Sequence, residues 1–147
     1  MTGSHADFMR RWFDQVWNLG RAEAIEAMLA PNGRVHGLGE ADAVATGPAE
    51  FRRFWAQFCE AFPTRRFTVE DVVESGDKVA VRWRARLIHG GFFQDPAPTE
   101  KEIVVTGIAF AHVRDGRLQE GWNNWDSLEL ARQIEALAPV KPILPRA

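Results

Sequence analysis

The sequence predicts an α+β fold, a curved antiparallel sheet wrapped on helices. Three observations carry this expectation. Apolar residues recur at helical spacing up to Phe62. From Arg66 to Trp125 the pattern turns to extended alternation. A helix-start signal, Asp126-Ser-Leu-Glu129, then closes the run.

The first helix spans about His5 to Leu19. Ser4 and Asp7 have capping-box spacing, and Gly20 is placed to end it. Phe8, Met9, Trp12, Phe13, Val16 and Trp17 form one broad apolar face. Core packing explains most of that face; Trp17, near its end, is placed for a pocket rim. A short helix, about Ala22 to Leu29, stops at Pro31, and Gly33–Leu38 reads as a short strand holding His36. Gly39–Gly47 reads as a small-residue loop. A helix from Pro48 to Phe62 follows, with Pro48 in its first turn and Pro63 beyond its end. Trp55 and Phe58 are its candidate pocket-wall residues. Cys59, the only cysteine, fits a small buried residue on this helix and rules out an intrachain disulfide.

Arg66–Glu74 and Lys78–His89 read as strands joined at Ser75-Gly76-Asp77. The preferred register sets Glu74 against Lys78, Glu70 against Arg82 and Thr68 against Arg84. Phe67, Val69 and Val73 then share the apolar face with Val79, Val81, Trp83 and Ala85. This register also places Asp71 inward, unless a bulge at Val72–Val73 turns it out. Arg82, Arg84 and Arg86 form a basic stripe, read as a solvated face paired with acids on a neighbouring strand. His89 falls in phase with Trp83 and Leu87, so it is a pocket candidate.

Gly90–Glu100 is a Gly/Pro-bounded loop carrying Phe92 and Phe93, a lid or a dimer contact. Lys101–Val113 is apolar on both faces, which fits a central strand with a subunit packed on its back. Gly107, Ala109 and Ala111 leave room for a ligand on one of those faces. Asp115–Gly116 opens a hairpin into a last strand ending in Trp122-Asn-Asn-Trp125. By alternation Trp125 shares a face with Asn123. A final helix runs from about Ser127 to Leu137. Pro139, Pro142 and Pro145 then favour an extended tail, about 138–147.

Composition bounds the function. The chain has 147 residues, which suits one domain. Its formal net charge of −2 gives no electrostatic reason to expect nucleic acid or an anionic membrane as partner. No apolar stretch is long enough to span a bilayer and no signal-type run opens the chain, so a cytoplasmic location is expected. No metal-ligand spacing, phosphate loop or nucleophile motif occurs, so no metal or cofactor is expected. Six Trp and ten Phe without Tyr supply more flat apolar surface than a core requires, and point to a small apolar molecule as ligand.

With the phrases FTVEDVVESGDKVAVRW, PAPTEKEIVVTG and VRDGRLQEGWNNWD, the chain resembles the SnoaL-like polyketide cyclase family of the nuclear transport factor 2-like superfamily. The resemblance runs from the first helix to about Leu137. It implies a cone-shaped, cystatin-like α+β barrel in a single domain over 1–147. It also implies a flat apolar substrate in the cone, worked by an aspartate as general acid/base with a histidine on the preceding strand. The aspartate position falls at Asn123 and the histidine position at Ala109. An amide can hold a carbonyl or a water, but it has no pKa suited to proton transfer. His36, His89 and Asp71 are the remaining titratable candidates for catalysis beside Asn123. Trp17, Trp55, Phe58, Trp83, Ala109 and Trp125 are the candidate substrate-binding residues. Two functions stay open: an acid/base cyclase, isomerase or hydrolase, and a non-catalytic binding protein. A homodimer is expected under either.

Overall fold

The computed structural model describes residues 3–39, 42–91 and 98–134. The expected Pro-containing tail, the end of the last helix, and Phe92 and Phe93 lie outside the described residues. In chain order, α1 (His5–Trp12) leads into a π-helical stretch (Phe13–Asn18) and α2 (Ala22–Met28). Next come β1 (Leu29–His36), β2 (Val44–Thr46) and α3 (Gly47–Ala61). Then β3 (Thr64–Ser75), β4 (Lys78–Ile88), β5 (Glu102–Arg114), β6 (Arg117–Trp125) and α4 (Ser127–Gln133) complete the described chain.

The six strands form one curved, unclosed sheet in the order β2-β1-β6-β5-β4-β3. All neighbours are antiparallel except β1 and β6, which run parallel. The concave face carries Val79, Val81, Trp83, Ala85 and Leu87 from β4. From β5 it carries Ile103, Val105, Ala109, Ala111 and Val113, all buried. Against it lie Phe8, Met9, Trp12 and Phe13 from the first helical segment and Phe51 and Phe58 from α3. Both helix starts follow from local sequence. Ser4 accepts a hydrogen bond from the Asp7 N–H at 3.1 Å, and Asp126 accepts one from Glu129 N–H at 3.1 Å.

Several expectations change. The first helix widens into π geometry after Trp12, which alters where its last carbonyls point. β1 begins at Leu29, so Pro31 does not separate helix from strand. It sits where the β1–β6 register shifts between Leu29 and Arg34, in an irregularity that tolerates a missing N–H. Part of the Gly39–Gly47 segment forms the short edge strand β2. The β3–β4 register is as expected at Thr68↔Arg84 and Val69↔Trp83, but then slips by one. Glu74 faces Val79, and Ser75 faces Lys78 across a tighter turn. The bulge lies at Glu70 rather than at Val72–Val73. Arg82 and Arg84 ion-pair with Glu70, and Arg86 with Glu102, as expected for a solvated stripe. Cys59 is half-buried, and burial pushes its thiol pKa up against the opposing effect of Arg65.

Candidate functional site: an aromatic cleft over the sheet

A cleft opens between the helices and the concave face. Counting its open mouth, it encloses about 410 Å³ of unfilled space. Phe13 and Trp17 come from the π-helical stretch, Leu38 from the segment after β1, and Phe54 and Phe58 from α3. The sheet contributes Phe67, Trp83, Val105, Asn123 and Trp125. A second, more enclosed lobe shares Phe13, Trp17, Leu38 and Asn123, and adds Ala109 and Ala111. Asn123 therefore sits where the two lobes meet.

The π-helical stretch sets the helical wall. Its widened turn displaces backbone carbonyls from the α-helical ladder, and side chains from other elements take them up. Trp55 Nε1 donates to the Val16 carbonyl at 2.8 Å, and Arg65 Nε to the Trp17 carbonyl at 2.5 Å. The Asn18 amide pairs with both backbone groups of Phe67, at 2.6 and 3.0 Å. Trp17 is thereby fixed among Phe51, Phe54, Phe58 and Phe67, with ring centroids 5.4–6.5 Å away.

The strand wall follows from pairing. Trp83, Gly107 and Trp125 lie in one cross-strand row, and Ala109 and Asn123 in the next. The two positions that the family resemblance assigns to the acid/base pair thus face one another across β5 and β6. They hold a methyl group and a carboxamide. Asn123 Nδ2 donates to the His36 carbonyl at 3.2 Å, which leaves Oδ1 as an acceptor. Trp125 Nε1 donates to the Gly37 carbonyl at 2.9 Å. These two bonds clamp the chain after β1 and bring Leu38 to the cleft. Gly37 has φ +80°, and a Cβ there would lie 2.0 Å from the Asn123 carbonyl oxygen.

The remaining candidates scatter. His36 lies on the convex face of the sheet, so alternation carries its side chain away from the cleft. Its Nε2 is 2.7 Å from Glu120 Oε2, and its ring stacks on Trp122 with 2° between the planes. Asp71 is exposed, because the bulge at Glu70 rotates it outward; its Oδ1 accepts from the Val72 N–H at 3.0 Å. His89 is fully buried beside Phe62, beyond the cleft. Its Nδ1 accepts from the Thr99 N–H at 3.2 Å, so Nε2 carries the proton of the neutral ring. Burial lowers its pKa, while the Gly91 carbonyl and Glu100 act in the opposite direction. Trp55 spends its indole N–H on Val16 instead of lining the cleft.

Of the residues named from sequence, Trp17, Phe58, Trp83 and Trp125 line the cleft, and Ala109 lines the inner lobe. Phe13, Phe54 and Phe67 were readable only as core. Phe13 and Phe54 each stand four residues before a recognised wall residue, Trp17 and Phe58, and that spacing was the signal available. Two polar facts stand out in this apolar setting. No lining residue carries an ionisable side chain among the described residues. The Trp83 indole N–H is buried without a hydrogen-bond partner among the described residues, a condition that costs about 1–3 kcal/mol.

Comparison with known proteins agrees with this geometry. IdmH from Streptomyces antibioticus is 26% identical and superposes with a TM-score of 0.78, covering 90% of this chain and 99% of its own. A SnoaL-like protein from Jannaschia sp. CCS1 is 23% identical, with a TM-score of 0.81 over 94% of this chain and 99% of its own. TsrD from Streptomyces laurentii is 22% identical, with a TM-score of 0.79 over 93% and 100%. No curated protein matches the sequence. The family model described as SnoaL-like polyketide cyclase matches residues 7–134. With that match spanning most of the chain and the curved α+β sheet in place, the chain belongs to the SnoaL-like polyketide cyclase family.

Proposed function

We propose that this chain binds a small, flat, apolar molecule in the aromatic cleft and holds it without side-chain acid/base chemistry. One observation carries the reading: the cleft wall is aromatic and aliphatic around a single carboxamide, with no ionisable side chain among the described lining residues. Such a wall favours an apolar guest by burying its surface, and Asn123 orients an oxygen on it. The titratable candidates support the same reading by their positions. His36 is paired with Glu120 on the other face, Asp71 is in solvent, and His89 ties down the chain around Thr99.

The test is a panel of neutral aromatic ketones, followed by tryptophan fluorescence and by product analysis. Saturable binding with unchanged ligand is expected, weakened severalfold in Asn123→Ala. Conversion of a bound ketone by the wild type would overturn the reading.

A second reading is an enzyme of cyclase, isomerase or hydrolase type, favoured by family membership. Asn123 then orients the substrate oxygen, and the proton is exchanged with water, because His36 and His89 stand outside the cleft. Turnover of a ketone from the panel by the wild type, lost in Asn123→Ala, would favour it.

The convex face bears on assembly. Ile108 and Phe110 are exposed there beside Trp122 and His112, and the ion pairs of Arg82, Arg84 and Arg86 flank them. An apolar centre with a charged rim is the composition of a subunit interface, and we read it as the surface of a homodimer.

A further inference from the structure

We propose that the convex face carries a second site, which binds a phosphate monoester group between Lys78, His112 and Arg114. It lies across the sheet from the aromatic cleft and shares no lining residue with it.

A groove opens on that face where β4 begins and β5 ends. Counting its open side, it encloses about 400 Å³ and is lined by Asp77, Lys78, His112, Arg114 and Gln119. Strand pairing explains why these side chains meet. Lys78 stands directly opposite His112, and Arg114 follows His112 by two residues on the same face of β5. The Val113 N–H donates to the Asp77 carbonyl at 2.8 Å, which holds the turn before β4 against β5. On the other side a bulge leaves Gln119 without a register partner between Leu118 and Glu120. The Gln119 amide donates to the Arg114 carbonyl at 2.9 Å and fixes the far wall.

The cations of this groove differ from their neighbours on the sheet. Arg34, Arg82, Arg84 and Arg86 each pair with a glutamate at 3.1–3.7 Å. Lys78 and Arg114 are exposed and have no carboxylate partner among the described residues. Glu120 faces His112 in register, but His36 and Arg34 take its carboxylate, at 2.7 and 3.7 Å. The His112 ring packs edge-on to Phe110 and Trp122, and its nitrogens have no hydrogen-bond partner among the described residues. Asp77 is the only acid lining the groove among the described residues, and two cations face it. An ammonium, a guanidinium fork and an imidazole thus line one open space. A phosphate monoester offers three terminal oxygens to these three donors, where a carboxylate offers two. The planar guanidinium matches two of those oxygens at once. Each contact is weakened by water at an exposed position, so a multiply charged anion is favoured over a single charge.

The test titrates wild type with inorganic phosphate at constant ionic strength and pH 7.5, followed by proton–nitrogen spectra. The backbone amides of Lys78, His112 and Gln119 should shift saturably, half-complete at about 1 mM, and acetate should need about tenfold more. Lys78→Ala and Arg114→Ala should each weaken phosphate about fivefold. Asp77→Asn should tighten it about threefold. Arg53→Ala, which removes an exposed cation from α3, should leave it unchanged. All four side chains are exposed, and the spectra of each variant report its folding directly. Phenyl phosphate and phosphatidylcholine vesicles containing phosphatidic acid then separate the sources. Binding of the first identifies a soluble monoester, and binding of the second alone a lipid headgroup. Binding of neither, or no saturable shift up to about 20 mM phosphate, overturns the proposal. So does acetate acting as strongly as phosphate, or an equal loss in Arg53→Ala and Arg114→Ala.

Discussion

Asn123 and His89 show how much one residue's environment decides. Asn123 stands where the family resemblance expects a carboxylate, and its amide is engaged with the His36 carbonyl on one side and open to the cleft on the other. His89 is buried, and its lowered pKa has a measurable consequence. The folded chain keeps the ring neutral at pH values where the unfolded chain, with an ordinary pKa of about 6.5, protonates it. The unfolded state then binds more protons. The His89 contribution is complete above about pH 6.5 and is lost as pH falls towards the lowered folded pKa. His89→Gln should be less stable than wild type by about 1–3 kcal/mol at pH 7.5, as expected where a buried partner is lost. The gap in urea midpoints should narrow as pH falls to 5; a constant gap would show that His89 does not titrate with folding. At this scale the sequence was legible wherever alternation ran unbroken, so Trp125 turns inward with Asn123. Asp71 was misplaced because one bulged residue reverses parity, and no turn residue marks Glu70.

The elements that build the cleft are held by side chains reaching across the fold. The π-helical stretch depends on Trp55 and Arg65, and the chain after β1 depends on Asn123 and Trp125. Gly37 lets that chain pass over β6 with φ +80°. Gly37→Ala should cost about 3 kcal/mol, from a left-handed backbone plus overlap with the Asn123 carbonyl, and lower Tm by roughly 10 °C. Gly39→Ala meets nothing within 4 Å and should change stability by less than about 0.5 kcal/mol. Equal effects in the two variants on thermal melting would refute this account. Helix starts and the long hairpins were legible because caps and two-residue periodicity are local. The π turn, the three-residue β2 and the strand through Pro31 were not, since each is fixed by partners distant in sequence.

For the whole molecule, the sheet has two faces with different work. The concave face closes a cleft under the helices. The convex face leaves Ile108 and Phe110 in solvent beside the stacked His36 and Trp122. Wild type should sediment as a dimer at micromolar concentration, and Phe110→Glu should shift it to monomer while ketone binding persists. A monomeric wild type would refute the interface. The α+β class and the curved sheet were legible from the change of periodicity at Arg66 and from family phrases. The separation of His36 from Asn123 by the thickness of the sheet was not, because pairing of β1 with β6 joins residues more than eighty positions apart. The central claim is that the cleft holds a neutral guest with no titrating side chain in contact. Its most direct test is the dissociation constant of 2-acetylnaphthalene between pH 6 and 8.5. The account predicts a value constant within about twofold and an unchanged ligand; a sigmoidal pH dependence, or a new product, would contradict it.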